Sequence, residues 1–425
     1  MNLYLVLYNI IVVPLLWIVF HLGGFVNNKI KRGILGRKNL FGSLIVNIQK
    51  NHGTSRIWFH ASSLGEFEQA KPIISAIKKS HPNIDIVVTF FSPSGFENSK
   101  NYKNANVISY IPFDSYRGVK KFIDIVKPSV AIMVRYDIWP NMIYGLNKKN
   151  IPVVIANATM KGNSLRMIPF FLQFHRALYN CFSYILTVSK NDQLSFQEFG
   201  TSSPIINSIG DTRFDQVMMR SQDARQKHLL STSITNNKKI FVVGQSWAED
   251  DDVVIPVLLK IQKNETDLLT IIVPHEPTED HLEELESKLE GNISCIRFSE
   301  LNNYANEKII LIDSIGILVA LYQYADVVYI GGSFRQGIHN ILEPAVFGLP
   351  VIYGPVHTNS QEAVELARLG GGFIIEDEKD LYRILRTLLE NPANRTRAGQ
   401  ISGSYVHENC GATERFLQYI KQYLK

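Results

Sequence analysis

Tyr329-Ile-Gly-Gly-Ser-Phe-Arg-Gln-Gly-Ile-His-Asn-Ile-Leu-Glu-Pro-Ala345 is the stretch that decides the fold of this chain of 425 residues. An apolar run, 327–330, leads into a glycine-rich turn, and a helix is predicted to begin at Asn340. A second apolar run, 350–353, follows and ends at Gly354-Pro355. The pattern predicts a strand–loop–helix–strand unit whose glycines let the backbone approach a ligand closely.

The predicted helix start combines unpaired N–H groups with partial positive charge, so the loop can admit a phosphate. Glu343 lies where it could accept hydrogen bonds from a sugar hydroxyl, and together these features predict a nucleotide-sugar site. Asn340-x-x-Glu343 also fits a capping box, in which the two side chains only satisfy the helix start. The spacing leaves both interpretations open. The other donor-loop candidates are Gly331, Gly332, Ser333 and His339.

Short β-branched runs alternate with helical stretches from Arg56 onward, in two successive halves. This alternation predicts an α/β fold with parallel sheets, and we expect two Rossmann-like domains facing a cleft. The predicted strands are 57–60, 84–89, 107–110, 131–134, 153–157 and 184–188, then 240–243, 269–273, 309–312, 327–330, 351–353 and 373–375. The predicted helices in the first half are 66–79, 116–126, 138–149 and 192–199.

A polar stretch, 218–239, carries no strand signal and is predicted to be the domain boundary. The chain is therefore expected to divide into a hydrophobic membrane anchor (1–26), a first domain (27–217), a linker (218–239), a second domain (240–405) and a terminal segment (406–425). The helix of that last segment is expected over 414–424, packed back on the first domain.

Composition excludes several classes of protein. Three cysteines, far apart and without a CxxC motif, give neither a disulfide framework nor a zinc pattern. No G-x-G-x-x-G or G-x-x-x-x-G-K-[ST] occurs at a strand–helix turn, which argues against dinucleotide oxidoreductases and P-loop NTPases. The net charge of +5 is modest and forms no basic stripe, so no nucleic-acid partner is expected. No Asp-x-Asp metal pair is predicted at a strand end, and no cofactor is expected.

The N-terminus is almost wholly apolar over 3–20, interrupted only by Asn9 and Pro14. Such a run can cross a bilayer marginally, lie in its interface, or form a buried core helix, and the lack of a polar face disfavours the last. No Asp or Glu precedes Glu66, so the segment is attracted to anionic lipid and the rest of the chain is expected in the cytoplasm. The basic residues of this stretch are Lys29, Lys31, Arg32, Arg37, Lys38, Lys50 and Arg56.

Two carboxylates follow predicted strands in the first half. Glu66 ends the motif Trp58-Phe-His-Ala-Ser-Ser-Leu-Gly-Glu66, where it could serve as a general base. Ser63-x-x-Glu66 is equally a capping box, and spacing alone favours the cap. Asp137 follows the strand 131–134 and is either a cleft residue or the N-cap before Trp139-Pro140.

Three further positions are candidates at loop starts. Arg213 could face an anionic group, or pair only with Asp211 or Asp215. Ser246 and His275 follow the first two strands of the second half, where His275 is either structural or a contact to a phosphate or base. A helix predicted to begin at 313–316 offers further N–H groups.

These motifs together resemble the 3-deoxy-D-manno-octulosonic acid (Kdo) transferases of Gram-negative bacteria, over nearly the whole chain. The most specific elements are His60-Ala-Ser-Ser-Leu-Gly-Glu66, Asp137-Ile-Trp-Pro-Asn141, Gly210 to Asp215 and the opening segment. The resemblance implies a lipid A-specific, inverting glycosyltransferase of the GT-B type. Such enzymes move Kdo from CMP-Kdo onto a lipid A precursor at the cytoplasmic face of the inner membrane, in lipopolysaccharide biosynthesis.

The resemblance also implies roles for individual residues. Glu66 matches the general base, and Asp137 with Arg213 matches a pair that helps stabilise the transition state. The first domain would bind the acceptor and the second CMP-Kdo, without a metal ion. The positions that match CMP contacts are Pro274, His275, Ile315, Gly316, Ile317, Asn340, Ile341, Leu342 and Glu343.

The chain departs from the family pattern at Arg135, usually Glu, at His275-Glu276, usually Arg-His, and at Ile317, often a carboxylate. These changes bear on the nucleotide contacts more than on the reaction. Two other functions are kept as alternatives: another GT-B enzyme, such as a UDP-sugar transferase or epimerase, and a membrane-bound sugar-binding protein that has lost catalysis.

Overall fold

A computed structural model describes residues 3–53, 55–160, 162 and 164–424. The chain divides into two compact units. The first unit contains Met1–Gln216 and Cys410–Lys425, and the second contains Val217–Asn409. Each unit carries one parallel seven-stranded sheet, which confirms the predicted α/β class with two Rossmann-like domains.

The sheet of the first unit has the strand order β3-β2-β1-β4-β5-β6-β7. Its strands are β1 (Arg56–His60), β2 (Asp85–Phe90), β3 (Val107–Tyr110), β4 (Val130–Val134), β5 (Val153–Ala158), β6 (Tyr184–Thr187) and β7 (Ile205–Ser208). Because β1 pairs with both β2 and β4, the strand order reverses between β1 and β4. Ligands of such sheets bind beyond the carboxyl ends of the strands at this switch point.

Alternate residues of β1 enter two different cores. Trp58 packs in one cluster, whereas Ile57 and Phe59 pack in the other, so both faces of the sheet are covered. The second cluster includes Phe416 and Ile420 of the terminal helix Ala412–Ile420. The other helices of this unit are Leu3–Leu7, Val13–Val26, Asn28–Gly36, Leu40–Gln49, Leu64–Ser80, Pro93–Ser99, Tyr116–Val126, Pro140–Lys148, Pro169–Tyr179 and Lys190–Gln197.

The predicted apolar N-terminal helix is present. Helical structure is continuous over Tyr4–Val26, long and apolar enough to cross a membrane by length and composition. A π-helical turn, Tyr8–Val12, interrupts the α-helical geometry. Residues 1 and 2 of the predicted anchor lie outside the described residues.

The sheet of the second unit has the order β10-β11-β9-β8-β12-β13-β14. Its strands are β8 (Lys239–Ser246), β9 (Leu268–Pro274), β10 (Cys295–Arg297), β11 (Ile309–Leu311), β12 (Val327–Ile330), β13 (Val351–Tyr353) and β14 (Gly372–Ile374). The order reverses between β8 and β12, so the loop that follows Ile330 lies at this switch point. The helices are Thr232–Thr235, Ala248–Ile261, Glu279–Leu289, Leu318–Leu321, Leu342–Ala345, Gln361–Leu369, Glu378–Glu390 and Pro392–Asn409.

The structure corrects several expected elements. Two strands that the sequence did not indicate, β7 and β10, form sheet edges. The helices expected to begin at Asn340 and at 313–316 begin instead at Leu342 and Leu318, and each has four residues. The expected linker 218–239 starts inside the helix Thr212–Arg225. The limits of the predicted domains stay a prediction.

Candidate functional site

The carboxyl ends of β1 and β4 bring Glu66 and Asp137 into one polar cluster. His60 Nε2, at the end of β1, lies 2.7 Å from Asp137 Oδ2. The Ser62 hydroxyl donates to the same oxygen, and the Trp139 indole N–H donates to it at 3.1 Å. Burial raises the pKa of Asp137, but these hydrogen bonds and the proximity of His60 outweigh burial and hold the pKa below its usual value. Asp137 is therefore fixed in position and charged.

The buried ring of His60 is oriented by its second nitrogen. Nδ1 lies 2.9 Å from Thr89 Oγ1, and that oxygen accepts a hydrogen bond from the Trp58 indole at 2.8 Å. A carboxylate only accepts hydrogen bonds, so the contact with Asp137 assigns the proton to Nε2. The chain of bonds from Trp58 to Asp137 thus sets the geometry of the cluster.

Glu66 forms the capping box that its spacing predicts. Its Oε2 accepts the backbone N–H groups of Ser62 at 2.6 Å and Ser63 at 3.1 Å, while its own N–H donates to Ser63 Oγ at 3.4 Å. Glu66 Oε1 has no hydrogen-bond partner within the described part of the chain. The cap therefore leaves one carboxylate oxygen available for a substrate proton.

The electrostatics of Glu66 suit a base. Burial raises the pKa of Glu66, the negative charge of Asp137 raises it further, and the N–H groups of Ser63 and Ser62 oppose the shift. A carboxylate whose pKa is raised toward the working pH accepts a proton more readily than an ordinary one. Capping and proton transfer are thus compatible at this residue.

Asp137 does not cap the helix that follows it, so that interpretation is wrong. The helix Pro140–Lys148 begins after Trp139, whose side chain makes no capping bond. The acceptor is Asp114, whose carboxylate accepts from Asn141 N and Met142 N, both at 2.9 Å. Asp137 is bonded instead to the loop after β1.

Arg213 pairs with the neighbouring Asp211, one of the two interpretations left open. Its Nε donates to Asp211 Oδ2 at 2.7 Å, and its backbone N–H donates to Oδ1 at 2.8 Å. Asp215 accepts instead from Gly411 N and Thr413 N, each at 2.6 Å. About two-fifths of the Arg213 side chain is exposed, at 39%.

In the second unit, a buried carboxylate organises the glycine loop after β12. Asp250 Oδ2 accepts from Gly332 N at 2.8 Å and from Trp247 N at 3.0 Å, while Tyr329 donates to Oδ1 at 2.6 Å. Gly331 must lack a Cβ, because that atom would lie 2.4 Å from the carbonyl oxygen of Gln245. The N–H of Gly332 is thus already bonded within the second unit.

Three aromatic side chains stack beside this loop. The His275 ring lies 4.4 Å from the Trp247 ring and 4.6 Å from the His339 ring, and the Trp247 indole N–H donates to His339 Nε2 at 3.0 Å. Burial, assisted by His275, lowers the pKa of His339 to about 4, so His339 is neutral near pH 7. The Arg335 guanidinium lies 4.5 Å over the Trp247 ring. A cationic group and three aromatic rings therefore lie together beside the glycine loop.

Asn340 and Glu343 do not form a capping box. The residue before the short helix is Ile341, whose backbone is helical rather than extended and whose side chain has no acceptor. Asn340 Oδ1 accepts from Leu342 N at 3.2 Å. Glu343, only 8% exposed, accepts a hydrogen bond from Arg220 Nη1 at 2.7 Å. The capping interpretation is therefore wrong, and the carboxylate forms an ion pair.

The remaining candidates also follow strands of the second sheet. Pro274 ends β9, and Gly316, with φ of +85°, lies in the loop after β11 beside Ile317 and the 87%-exposed Ile315. The buried Ser246 hydroxyl, at the end of β8, has no hydrogen-bond partner within the described residues. Ser333 Oγ accepts from Gly354 N at 2.7 Å and so supports the loop. The predicted CMP positions thus follow the carboxyl ends of the adjacent strands β11, β9, β8 and β12.

An acidic run lies in the helix that follows β8, and its side chains are bonded to neighbouring residues. Asp250, Asp251 and Asp252 lie in the helix after β8. Asp251 Oδ2 lies 2.7 Å from His281 Nε2, and Asp252 accepts from Lys288 at 2.9 Å. Over the described ranges, no three His, Cys, Asp or Glu side chains are grouped to hold a metal ion.

An apolar cavity adjoins the Asp137 cluster in the first unit. It has a volume of about 340 Å³, and Trp139, which donates to Asp137, forms part of its wall. Its other walls include Tyr8, Leu16 and Trp17 of the N-terminal helix.

Several structurally important side chains had no assigned role in the sequence. His60 and Ser62 lie inside the motif that ends at Glu66, so their position after a strand is a signal that could have identified them. Asp114 and Arg220 act through distant partners, and spacing carries no signal for such contacts. Asp250 joins distant partners as well, but it also accepts from Trp247 N, three residues before it.

The comparisons with known proteins agree with these motifs. Residues 37–216 match the family model described as 3-deoxy-D-manno-octulosonic-acid transferase (kdotransferase). The chain is 28% identical to the 3-deoxy-D-manno-octulosonic acid transferase of Haemophilus influenzae over 87% of each chain. It is 26% identical to that of Aquifex aeolicus over 83% of this chain and 92% of the relative.

Solved structures show the same fold at low identity. The UDP-GlcNAc 2-epimerase of Neisseria meningitidis, bound to UDP-GlcNAc, has a TM-score of 0.59 and 13% identity over 86% of this chain and all of its own. A putative UDP-N-acetylglucosamine 2-epimerase of Listeria monocytogenes gives 0.56 and 14%, over 88% of this chain and 97% of its own. These neighbours confirm the GT-B fold alone. The family match and the relatives together confirm the resemblance, and the chain is accordingly similar to the Kdo transferases over most of its length.

Proposed function

We propose that the protein is an inverting Kdo transferase, which moves Kdo from CMP-Kdo to a hydroxyl of a lipid A precursor. Its class, a Kdo-transferring glycosyltransferase of lipopolysaccharide biosynthesis, is supported by the family match and the relatives. The observation that carries the reaction is Glu66: a buried carboxylate at a sheet switch point, with a raised pKa and one oxygen that has no hydrogen-bond partner among the described residues.

The acceptor reacts on the first unit. Glu66 Oε1 takes the proton of the acceptor hydroxyl as its oxygen attacks the anomeric carbon of Kdo, on the face opposite CMP. The bond from that carbon to the CMP phosphate oxygen breaks, CMP leaves with the bonding electrons, and the configuration inverts. Charged Asp137 stabilises positive charge that develops at the anomeric carbon. Arg213, which is partly exposed and paired with Asp211, neutralises negative charge of the donor.

The second unit holds CMP. Glu343 accepts hydrogen bonds from ribose hydroxyls, with Arg220 orienting its carboxylate. Pro274, His275 and the positions 315–317 and 340–342 complete the CMP contacts, supported by their common position at the carboxyl edge of the sheet. Arg335 and the aromatic stack supply cationic and planar groups for the nucleotide. We further propose that this chemistry proceeds without a metal ion.

The acceptor is a lipid at the cytoplasmic face of the inner membrane. This part of the proposal is supported by the apolar N-terminal helix and by the cavity between that helix and Trp139. An acyl chain in this cavity would hold the acceptor hydroxyl near Glu66.

The decisive experiment incubates purified full-length protein with CMP-Kdo, generated in situ, and a lipid A precursor, and measures the product by mass spectrometry. We expect the mass of the lipid to rise by whole Kdo residues, and a chelator should not prevent this rise. With Glu66→Gln the mass of the lipid should stay unchanged. Absence of product with the wild-type protein would exclude the transferase.

A titration with CMP and UDP separates this function from the alternatives. We expect tighter binding of CMP. Tighter binding of UDP would favour a UDP-sugar enzyme, and CMP binding without turnover would favour the inactive sugar-binding protein.

A further inference from the structure

The N-terminal helix is held against the first unit at both of its ends. Near its start, the Tyr8 hydroxyl donates to Asp114 at 3.0 Å, and the side-chain amides of Asn9 and Asn141 exchange two hydrogen bonds of 2.8 Å. Tyr8 and Asn9 both lie in the π-helical turn. The turn therefore directs polar side chains of an otherwise apolar helix to polar partners on the α/β unit.

The other end of the helix is held by aromatic packing. The Phe20 ring lies 5.0 Å from Phe113 and 5.5 Å from Phe91. Arg37 also packs here: its guanidinium lies 4.8 Å from the Phe91 ring centroid and donates to the Phe91 carbonyl at 2.8 Å. Contacts at Tyr8 and Phe20 are about 18 Å apart along the helix. The helix thus contacts the rest of the first unit near both of its ends, and residues 14–19 between these contacts are exposed.

This packing is incompatible with a helix that crosses a bilayer. The hydrocarbon core is roughly 30 Å thick and tolerates no lipid-exposed loops. The partners of the helix are loop residues of the α/β unit, including Phe91, Phe113 and Asp114. A spanning orientation would carry these loops into the hydrocarbon.

The opposite side of the helix, here termed the outer face, is apolar and exposed. The exposed fraction is 68% at Ile10 and 92% at Val26. The other members are Leu7, Ile11, Val12, Leu15, Ile18, Val19, Leu22 and Phe25. Phe174, which packs 6.2 Å from Tyr4, belongs to the helix Pro169–Tyr179, and exposed Phe171 on that helix extends the apolar surface.

The charge beside the outer face fits an anionic surface. Lys29, Lys31 and Lys38 are exposed just after the helix, and no acidic residue precedes Glu66. Lysines next to an interfacial apolar face attract acidic headgroups.

We infer that the helix lies in the plane of the membrane, with its outer face inserted in an anionic phospholipid monolayer and both ends on the same side. The inference deepens the membrane association of the proposed function. The protein would then keep its first unit, and with it Glu66, at the lipid surface without this helix crossing the bilayer.

Depth measurements test this inference. Single cysteines at Ile10, Ile18 and Val26, in the full chain with Cys181, Cys295 and Cys410 changed to serine, carry a nitroxide label. The protein is bound to vesicles of phosphatidylethanolamine and phosphatidylglycerol, and label depth is measured by electron paramagnetic resonance. We expect all three labels to lie at similar shallow depths. A spanning helix would separate the outer labels by about 24 Å along the bilayer normal, with Ile18 deepest, and that result would overturn the inference.

A second measurement uses peptide tags at the two chain ends. In inverted membrane vesicles we expect protease to remove both tags, and in right-side-out vesicles neither. Removal of the N-terminal tag from the side opposite the C-terminal tag would also overturn the inference. Kdo transfer by the same variants in detergent is scored separately, so a failed transferase and a spanning helix give different results.

Discussion

The starts of two helices, at Ser63-x-x-Glu66 and Asn340-x-x-Glu343, carry the same spacing after a strand and adopt different structures. Ser63 is extended and caps a helix of 17 residues, with Glu66 bonded back to the loop. Ile341, not Asn340, precedes the second helix, which has four residues, and Glu343 is bonded to Arg220.

The difference teaches that the spacing describes a possibility, and that backbone conformation decides which bonds form. An extended cap residue turns its side-chain oxygen toward the first N–H groups of the helix, and a helical one does not. As a result Glu66 has only neutral donors and a negative neighbour, which favour a base. Glu343 has a cationic partner, which favours a fixed acceptor of hydrogen bonds.

Glu66→Gln should have the largest effect. Glutamine can still cap the helix but takes no proton at neutral pH, so we expect kcat to fall roughly 100- to 10,000-fold. Because the folded-state pKa of Glu66 is raised, its ionised form costs stability once the pH exceeds that pKa, and glutamine removes this cost. Denaturation at pH 7 should therefore find the variant no less stable, with CMP affinity unchanged. Transfer at the wild-type rate would reduce Glu66 to a cap.

Asp137→Asn should have the next largest effect, on the order of 100-fold in kcat, because the transition state loses a nearby negative charge. The same charge raises the pKa of Glu66, so its removal should lower that pKa. Activity falls when Glu66 is protonated, and the acidic limb of the pH profile should therefore move to lower pH in the variant.

The matched control for this change is Asp114→Asn. Asp114 caps the helix Pro140–Lys148, so the variant should lose stability without any displacement of the acidic limb. Equal pH profiles for Asp137→Asn and the wild type would show that the two carboxylates do not interact during turnover.

The fold was predictable because most of its strands are buried on both faces. Strands β1 and β12 carry continuous apolar runs, which the sequence displays directly. The missed strands β7 and β10 are sheet edges, and β7 has no buried residue, so its sequence has little apolar signal. Edge strands depend on pairing with a neighbour, which local sequence does not encode.

The geometry of the candidate site was predictable where a side chain follows a strand end and unpredictable where it depends on distant partners. The positions of Glu66 and Asp137 at strand ends were predictable from their own loops. The bond from Arg220 to Glu343 joins residues far apart in sequence, and Arg37, interpreted as a lipid-attracted charge, is instead packed on aromatic rings. Burial lowers the pKa of Arg37 to about 10, and its carbonyl partners hold it in place.

Arg220→Met should have an intermediate effect on the second unit. It removes the cation that orients the buried carboxylate of Glu343, so we expect CMP binding to weaken about 10-fold, measured by calorimetry. The free energy of unfolding should fall by about 1 kcal/mol, because the buried Glu343 carboxylate loses a hydrogen-bond donor that is itself partly exposed. The control is Arg225→Met. Arg225 lies on the same helix as Arg220 and contacts the Phe347 ring, and its loss should leave CMP affinity unchanged. Loss of stability with full CMP affinity would make the ion pair purely structural.

The smallest effects compare the two helix starts directly, by Ser63→Ala and Asn340→Ala. Ser63 accepts the N–H of Glu66 as a true cap, so its loss should cost about 1 kcal/mol in chemical denaturation. Asn340 makes one local bond before a four-residue helix, and its loss should cost less than about 0.5 kcal/mol. If Asn340 instead serves CMP, its variant should lose nucleotide affinity while keeping stability, the reverse of the result at Ser63. Equal losses of stability at both positions would mean that the shared spacing produces the same cap, and the contrast between the two carboxylates would then have to come from Asp137 and Arg220 alone.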